Sequence, residues 1–374
     1  MGSRGSVLAA TVVALTMLAA CTPDDGGGGS RGTPSPPATT STPGGSGQAV
    51  TGSPEVLVTG LEVPWGIAFL PDGSALVSER DRHRIVRVTA DGDSEPVGDI
   101  DGVSDDTSEG GLMGLALSPE VREDRLVYAY LTADADNRVI SFRYGGGRVR
   151  DQQPVFTGIP KATIHDGGRI AFGPDKMLYV ATGDATQQDR AQDTDYLGGK
   201  ILRMTPAGEP APGNPDGDSV VYTVGHRNPQ GLAWGPGDRL YQAEFGNVQL
   251  DELNLLRPGR NYGWPDVEGT LGPRRDEFES PLQTWATGEA SPSGLAYAGG
   301  SLWLATLQGK NLYRMPVTAD GSVGKPRPLY DDRWGRLRTV TPAPDGSLWV
   351  TTSNKDGRGD LLNRSDRIIR IPLR

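Results

Sequence analysis

His83, His165 and His226 are the only imidazoles in this 374-residue chain, so they bound where neutral-pH base catalysis can sit. His165 stands in Ile164-His-Asp-Gly-Gly-Arg169, just before an alternating apolar segment that turns at Gly173-Pro-Asp and returns through Tyr179 to Asp184. Antiparallel strands bring such starts and ends together, so His165 and Asp184 fall at one end of a hairpin. The pair reads as a general base and its orienter, the carboxylate fixing the tautomer and stabilising the imidazolium. It also reads as a histidine that only bonds a turn carbonyl.

A second group is cationic. Arg227 and Asn228 in Gly225-His-Arg-Asn-Pro-Gln230 precede another inner segment, at the same mouth as His165. In Arg336-Leu-Arg338 the alternation of an extended chain places both guanidinium groups on one side. Gathered at one mouth, these three arginines suit an anion; the other reading is salt bridges to the surface carboxylates. A third group, Glu244-Phe-Gly246-Asn247 followed by Asp251-Glu252, is a turn with carbonyls beside carboxylates. It suits a hard cation such as calcium without EF-hand spacing, although Asp and Asn in turns usually cap the backbone.

The elements that must hold these residues emerge from self-similarity. The phrase Trp65–Glu79 returns at Met113–Tyr130, Gly168–Asp184, Gln230–Glu244, Ser293–Thr306 and Arg338–Thr352. Aligning Ala68, Ala116, Ala171, Ala233, Ala296 and Thr341 gives spacings of 48, 55, 62, 63 and 45 residues. Each copy is an apolar segment, a turn and a second segment rich in Leu, Val, Tyr and Trp, a hairpin signature. The 53 Gly and 30 Pro fit a turn-rich chain without long helices. The fold class is therefore all-β, a six-bladed propeller of four-stranded antiparallel blades, whose inner strands are small where they crowd the axis. Val56–Thr59 is a candidate strand to close the ring against the last blade.

Residues 1–20 carry Arg4 and an apolar run too short to span a bilayer, which reads as a secretory signal. The run ends in Leu18-Ala-Ala-Cys21, similar to a bacterial lipobox, so Cys21, the only cysteine, is the expected lipidation site. Residues 21–53 are Cys21 and a stretch dominated by Gly, Ser, Thr and Pro, a flexible tether, and residues 54–374 form the propeller. The expected product is an exported bacterial lipoprotein on the outer face of the cell membrane, held there by lipid alone and monomeric. One cysteine excludes a disulfide framework and multi-thiolate metal sites, and a net charge of −10 argues against a nucleic-acid partner.

Taken together, Gly225-His-Arg-Asn-Pro-Gln-Gly-Leu-Ala233, His165 with Gly168-Arg169, Asn261-Tyr-Gly-Trp-Pro265 and Arg336-Leu-Arg338 resemble the soluble quinoprotein glucose and aldose sugar dehydrogenases. Those are six-bladed propellers that use pyrroloquinoline quinone (PQQ) and calcium, and the resemblance runs from about Val56 to Arg370. It implies His165 as the general base, supported by Asp184, with Arg227 and Asn228 on the quinone. Arg336 and Arg338 match the cations that hold its carboxylates. Glu109 falls where the family often has Gln. Gly246 and Asn247 match the turn whose backbone carbonyls bind the active-site calcium, while Glu252 and Tyr262 match ligands of a structural calcium. Gln308 takes the place of a common family lysine, with Lys310 close by. The activity implied is oxidation of an aldose at the anomeric carbon to a lactone, with a quinone, a cytochrome or a dye as electron acceptor. A calcium-dependent lactonase and a non-catalytic propeller that binds glycan or protein at the cell surface are the competing readings.

Overall fold

The computed structural model describes residues 52–105, 108–359 and 366–373. The lead segment, most of the tether and Cys21 lie outside them. Each repeat folds into a four-stranded antiparallel sheet in which strand follows strand outward from an axis. The first blade runs from Pro64–Phe69 to Ser94–Asp99, the second from Leu112–Leu117 to Arg148–Ile159, and the third from Ile170–Phe172 to Val221–Val224. The fourth runs from Asn228–Trp234 to Gln283–Ala286 and the fifth from Pro292–Ala298 to Arg327–Leu329.

The sixth blade is assembled from both ends of the propeller. Leu337–Pro342, Leu348–Thr352 and Asp366–Ile371 take Glu55–Leu61 as their fourth strand, with Val58 opposite Ile368. The strand expected at Val56–Thr59 thus does close the ring, and no blade edge is left open between first and last.

Burial follows from blades stacking face to face. Second strands such as Leu178–Thr182 and Leu348–Thr352 are buried at every position, because neighbouring blades cover both faces and leave no solvated side to alternate with. The outermost strand of the second blade, Arg148–Ile159, is largely exposed. Apolar clusters fill the spaces between blades. One joins Trp65, Met113, Tyr130, Ile170, Val180 and Leu202 from the first three blades, each large side chain contributing about 1.5–3 kcal/mol by leaving water. The six aligned positions, Ala68, Ala116, Ala171, Ala233, Ala296 and Thr341, all line one axial channel of about 470 Å³. Small residues are required there: a Cβ on Gly114 would lie 2.3 Å from the Gly168 carbonyl oxygen of the next blade.

Candidate active site

The chemistry gathers at the other end of the axis, where loops leading into inner strands meet the ends of second strands. His165 Nδ1 lies 2.8 Å from Asp184 Oδ1. A carboxylate only accepts, so the ring proton sits on Nδ1 and Nε2 is left to take a proton. Asp184 is itself fixed: Oδ1 also accepts the Thr186 N–H at 2.8 Å and Oδ2 accepts the indole N–H of Trp264 at 2.8 Å. His165 has φ 65°, a left-handed conformation that costs a side-chain-bearing residue roughly 1–2 kcal/mol. Its N–H donates to Glu109 Oε2 at 2.9 Å and its carbonyl accepts from Ala185 at 3.2 Å, which hold that conformation. The returning strand passes so close that a Cβ on Gly183 would sit 1.8 Å from the His165 carbonyl oxygen.

Beside this pair is a cationic recess. Arg80, Arg336, Arg338 and Arg358 line it with only two carboxylates, Glu109 and Asp356. Asp356 Oδ2 accepts from Arg336 Nη2 at 2.9 Å and from Arg338 Nη2 at 3.5 Å, so the two arginines do share one side of their strand. Their partner is a buried carboxylate at the mouth rather than one on the surface. Burial lowers the Arg338 guanidinium to about 10, despite the nearby Asp356. Burial alone would raise Glu109, but the His165 N–H and the Arg358 ion pair bring it below its usual value.

Three buried donors in this region have no hydrogen-bond partner: Arg227 Nε, Asn228 Nδ2 and Arg338 Nε. Unpaired buried donors are costly, and their shared polarity calls for a ligand rich in acceptors. A cavity of about 390 Å³ joins the parts and is lined by His165, Glu109, Arg227, Asn228, Arg336, Gly246 and Asn247.

A family model described as glucose/sorbosone dehydrogenase matches residues 61–364. The chain belongs to the glucose/sorbosone dehydrogenase family. The solved PQQ-bound aldose sugar dehydrogenase of Streptomyces coelicolor is 49% identical, with 87% of this chain and 100% of that one covered at a TM-score of 0.82. Aldose sugar dehydrogenase YliI of Escherichia coli K12 is 31% identical over 350 residues, 84% of this chain and 92% of that protein. Quinoprotein glucose dehydrogenase B of Acinetobacter calcoaceticus is 32% identical over 257 residues, 58% of this chain and 52% of that protein.

The residues expected from the resemblance to this family separate into two places. His165, Asp184, Glu109, Arg227, Asn228, Arg336, Arg338, Gly246 and Asn247 converge on the mouth. Glu252 and Tyr262 lie behind the turn, where Glu252 Oε1 accepts the Gly269 N–H at 2.5 Å and Oε2 accepts from Asn254 at 2.9 Å. Burial, then Glu244, pushes the Glu252 carboxyl up, and Asn254 Oδ1 is buried without a partner, so the spot favours added positive charge. The Tyr262 hydroxyl is already engaged, donating to the Leu255 carbonyl at 2.7 Å. Among the described residues no three His, Cys, Asp or Glu side chains are arranged to hold a metal. Gln308 lines the mouth, whereas Lys310 turns to Asp332 at 3.5 Å. His226 is structural: fully buried, it bonds Glu244 at 3.0 Å and Thr223 at 2.9 Å and stacks on Tyr262.

Sequence reasoning missed Arg80, Asp356, Arg358, Trp264 and Gln230. Gln230 Oε1 accepts from Arg338 Nη1 at 2.8 Å. One signal was available: an acid within four residues of the end of the second strand recurs as Glu79, Asp184, Glu244 and Asp356. Trp264 stands in the Asn261–Pro265 motif, but nothing local links it to Asp184, because it arrives from a loop of another blade.

Proposed function

We propose that this protein is a quinoprotein oxidoreductase that oxidises the anomeric hydroxyl of aldose sugars to lactones. The observation that carries this is the trio of buried, partnerless donors, Arg227 Nε, Asn228 Nδ2 and Arg338 Nε, beside the His165–Asp184 pair. A tricarboxylate such as PQQ offers the acceptors and negative charge that these donors and the surrounding arginines lack. Bound there, PQQ would supply a hydride acceptor and calcium, on the Gly246 and Asn247 carbonyls, a Lewis acid for it.

The protein's own part is proton transfer and orientation. His165 Nε2 takes the hydroxyl proton as the C1–H hydride leaves, so the sugar loses two electrons and two hydrogens and becomes the lactone. Asp184 stabilises the imidazolium, and Trp264 keeps Asp184 from turning away. Arg227 and Asn228 would hold the acceptor side of the bound quinone, while Arg336 and Arg338 would anchor its carboxylates. A lactonase reading gives those two arginines no role. Export and lipidation at Cys21 are proposed from the sequence alone, and the electron acceptor stays open among a quinone, a cytochrome and a dye.

The test is reconstitution. Purified apoprotein given PQQ and calcium should reduce an electron-accepting dye with glucose and with neither addition alone. Hydrolysis of a lactone without PQQ, and no sugar-dependent dye reduction with it, would overturn the dehydrogenase reading.

A further inference from the structure

Five consecutive backbone N–H groups, from Gly246 to Leu250, are taken up by two carboxylates. Asp251 Oδ1 accepts that of Gly246 at 2.8 Å. A single oxygen, Glu268 Oε1, accepts the next four, from Asn247 at 2.7 Å, Val248 at 3.0 Å, Gln249 at 2.8 Å and Leu250 at 3.0 Å. Successive amides converging on one point make a nest, the backbone's own anion site, and here the chain fills it with its own buried side chain. Gly246 permits the wrap, since a Cβ there would stand 2.1 Å from the Leu250 carbonyl oxygen and 2.8 Å from Glu268 Oε1.

The planar trans peptide carries this geometry to the mouth. Within one peptide plane N–H and C=O point in opposite directions. The Asn247 N–H shares its plane with the Gly246 carbonyl, and the Val248 N–H shares its plane with the Asn247 carbonyl. With both N–H groups drawn to Glu268, both carbonyls are turned away from it. These are the two carbonyls assigned above to the cation, and their residues line the mouth with His165 and Arg227.

We infer that Glu268 is a positioning residue for the cation site, acting through the backbone and not as a ligand. The inference rests on the reading of Gly246 and Asn247 as the calcium turn. Glu268 comes from the loop that also supplies Trp264 to Asp184, so one loop sets both the orienter of the base and the carbonyls of the metal turn. Without the carboxylate, four N–H groups would need water, and the two peptide planes would be free to rotate.

The experiment is calorimetric titration of calcium chloride into the metal-stripped, PQQ-saturated full chain, comparing wild type with Glu268→Ala and Glu268→Gln. A Gln oxygen still accepts N–H bonds but carries no charge. Orientation through the backbone predicts at least a tenfold weaker calcium Kd for Glu268→Ala, and a Kd within about threefold of wild type for Glu268→Gln. Equal losses in both variants would mean that charge on the ion matters, and would overturn the inference. Wild-type affinity in both would overturn it too. A wild type that binds no calcium would instead remove the metal reading itself.

Discussion

Trp264 donates its indole N–H to Asp184 Oδ2 at 2.8 Å, across 80 positions of sequence, and so fixes the carboxylate that holds His165. Trp264→Phe keeps an aromatic ring under Arg227 and removes the indole donor together with the fused pyrrole ring. A hydrogen bond to a charged group contributes about 1.5–3 kcal/mol, so kcat should fall roughly tenfold or more with little change in sugar KM. Steady-state rates across pH check this. An unchanged rate and pH profile would show that Asp184 needs no such support.

The base itself should matter far more. His165→Ala should lower kcat by about 100- to 10,000-fold, the range that general-base catalysis supplies. Binding of PQQ, followed by its absorbance on the protein, should survive, because His165 is assigned to the substrate proton. Retained turnover in a variant that binds the quinone would remove His165 from its role.

Asp356 accepts from both Arg336 and Arg338, and removing one side of a buried charge cluster costs about 3–5 kcal/mol. Asp356→Asn should therefore lower the Tm of the apoprotein clearly. An anionic cofactor would replace part of the missing charge, so PQQ should raise the Tm of the variant by more than it raises that of wild type. Scanning calorimetry with and without PQQ compares the two rises, and equal rises would mean that the arginines do not meet the cofactor's carboxylates.

Asp166, next to the base, gives a pH signature. Burial raises its carboxyl to about 6, against the bonds donated by Asn137 and Ala162, and Oδ2 has no partner. Below about pH 4 folded and unfolded chains are both protonated there. Between about 4 and 6 the folded chain keeps a proton that the unfolded chain has lost, so this group's contribution to stability falls as pH rises through that window. Two pK units correspond to about 3 kcal/mol. Asp166→Asn should flatten the wild-type decline in Tm between pH 4 and 7, measured by thermal melts at several pH values. Parallel curves would show that Asp166 titrates normally.

What the sequence determined by itself was the periodic part. Six copies of one hairpin phrase specify six blades, because a segment that cannot bury its faces alone must stack on its neighbours. Antiparallel pairing then places His165 beside Asp184 within one hairpin, and strand alternation places Arg336 and Arg338 on one side. These are local rules with a period of two, readable from spacing. The tertiary structure decided everything that crosses blades. Packing of blades around the axis carries the indole of Trp264 to Asp184, Gln230 to Arg338 and Arg358 to Glu109. It also wraps the Gly246–Leu250 turn around Glu268, a residue that reads in the sequence as one more loop acid. The physical reason is that blade order around an axis, unlike strand alternation, sets distances between residues that share no local repeat.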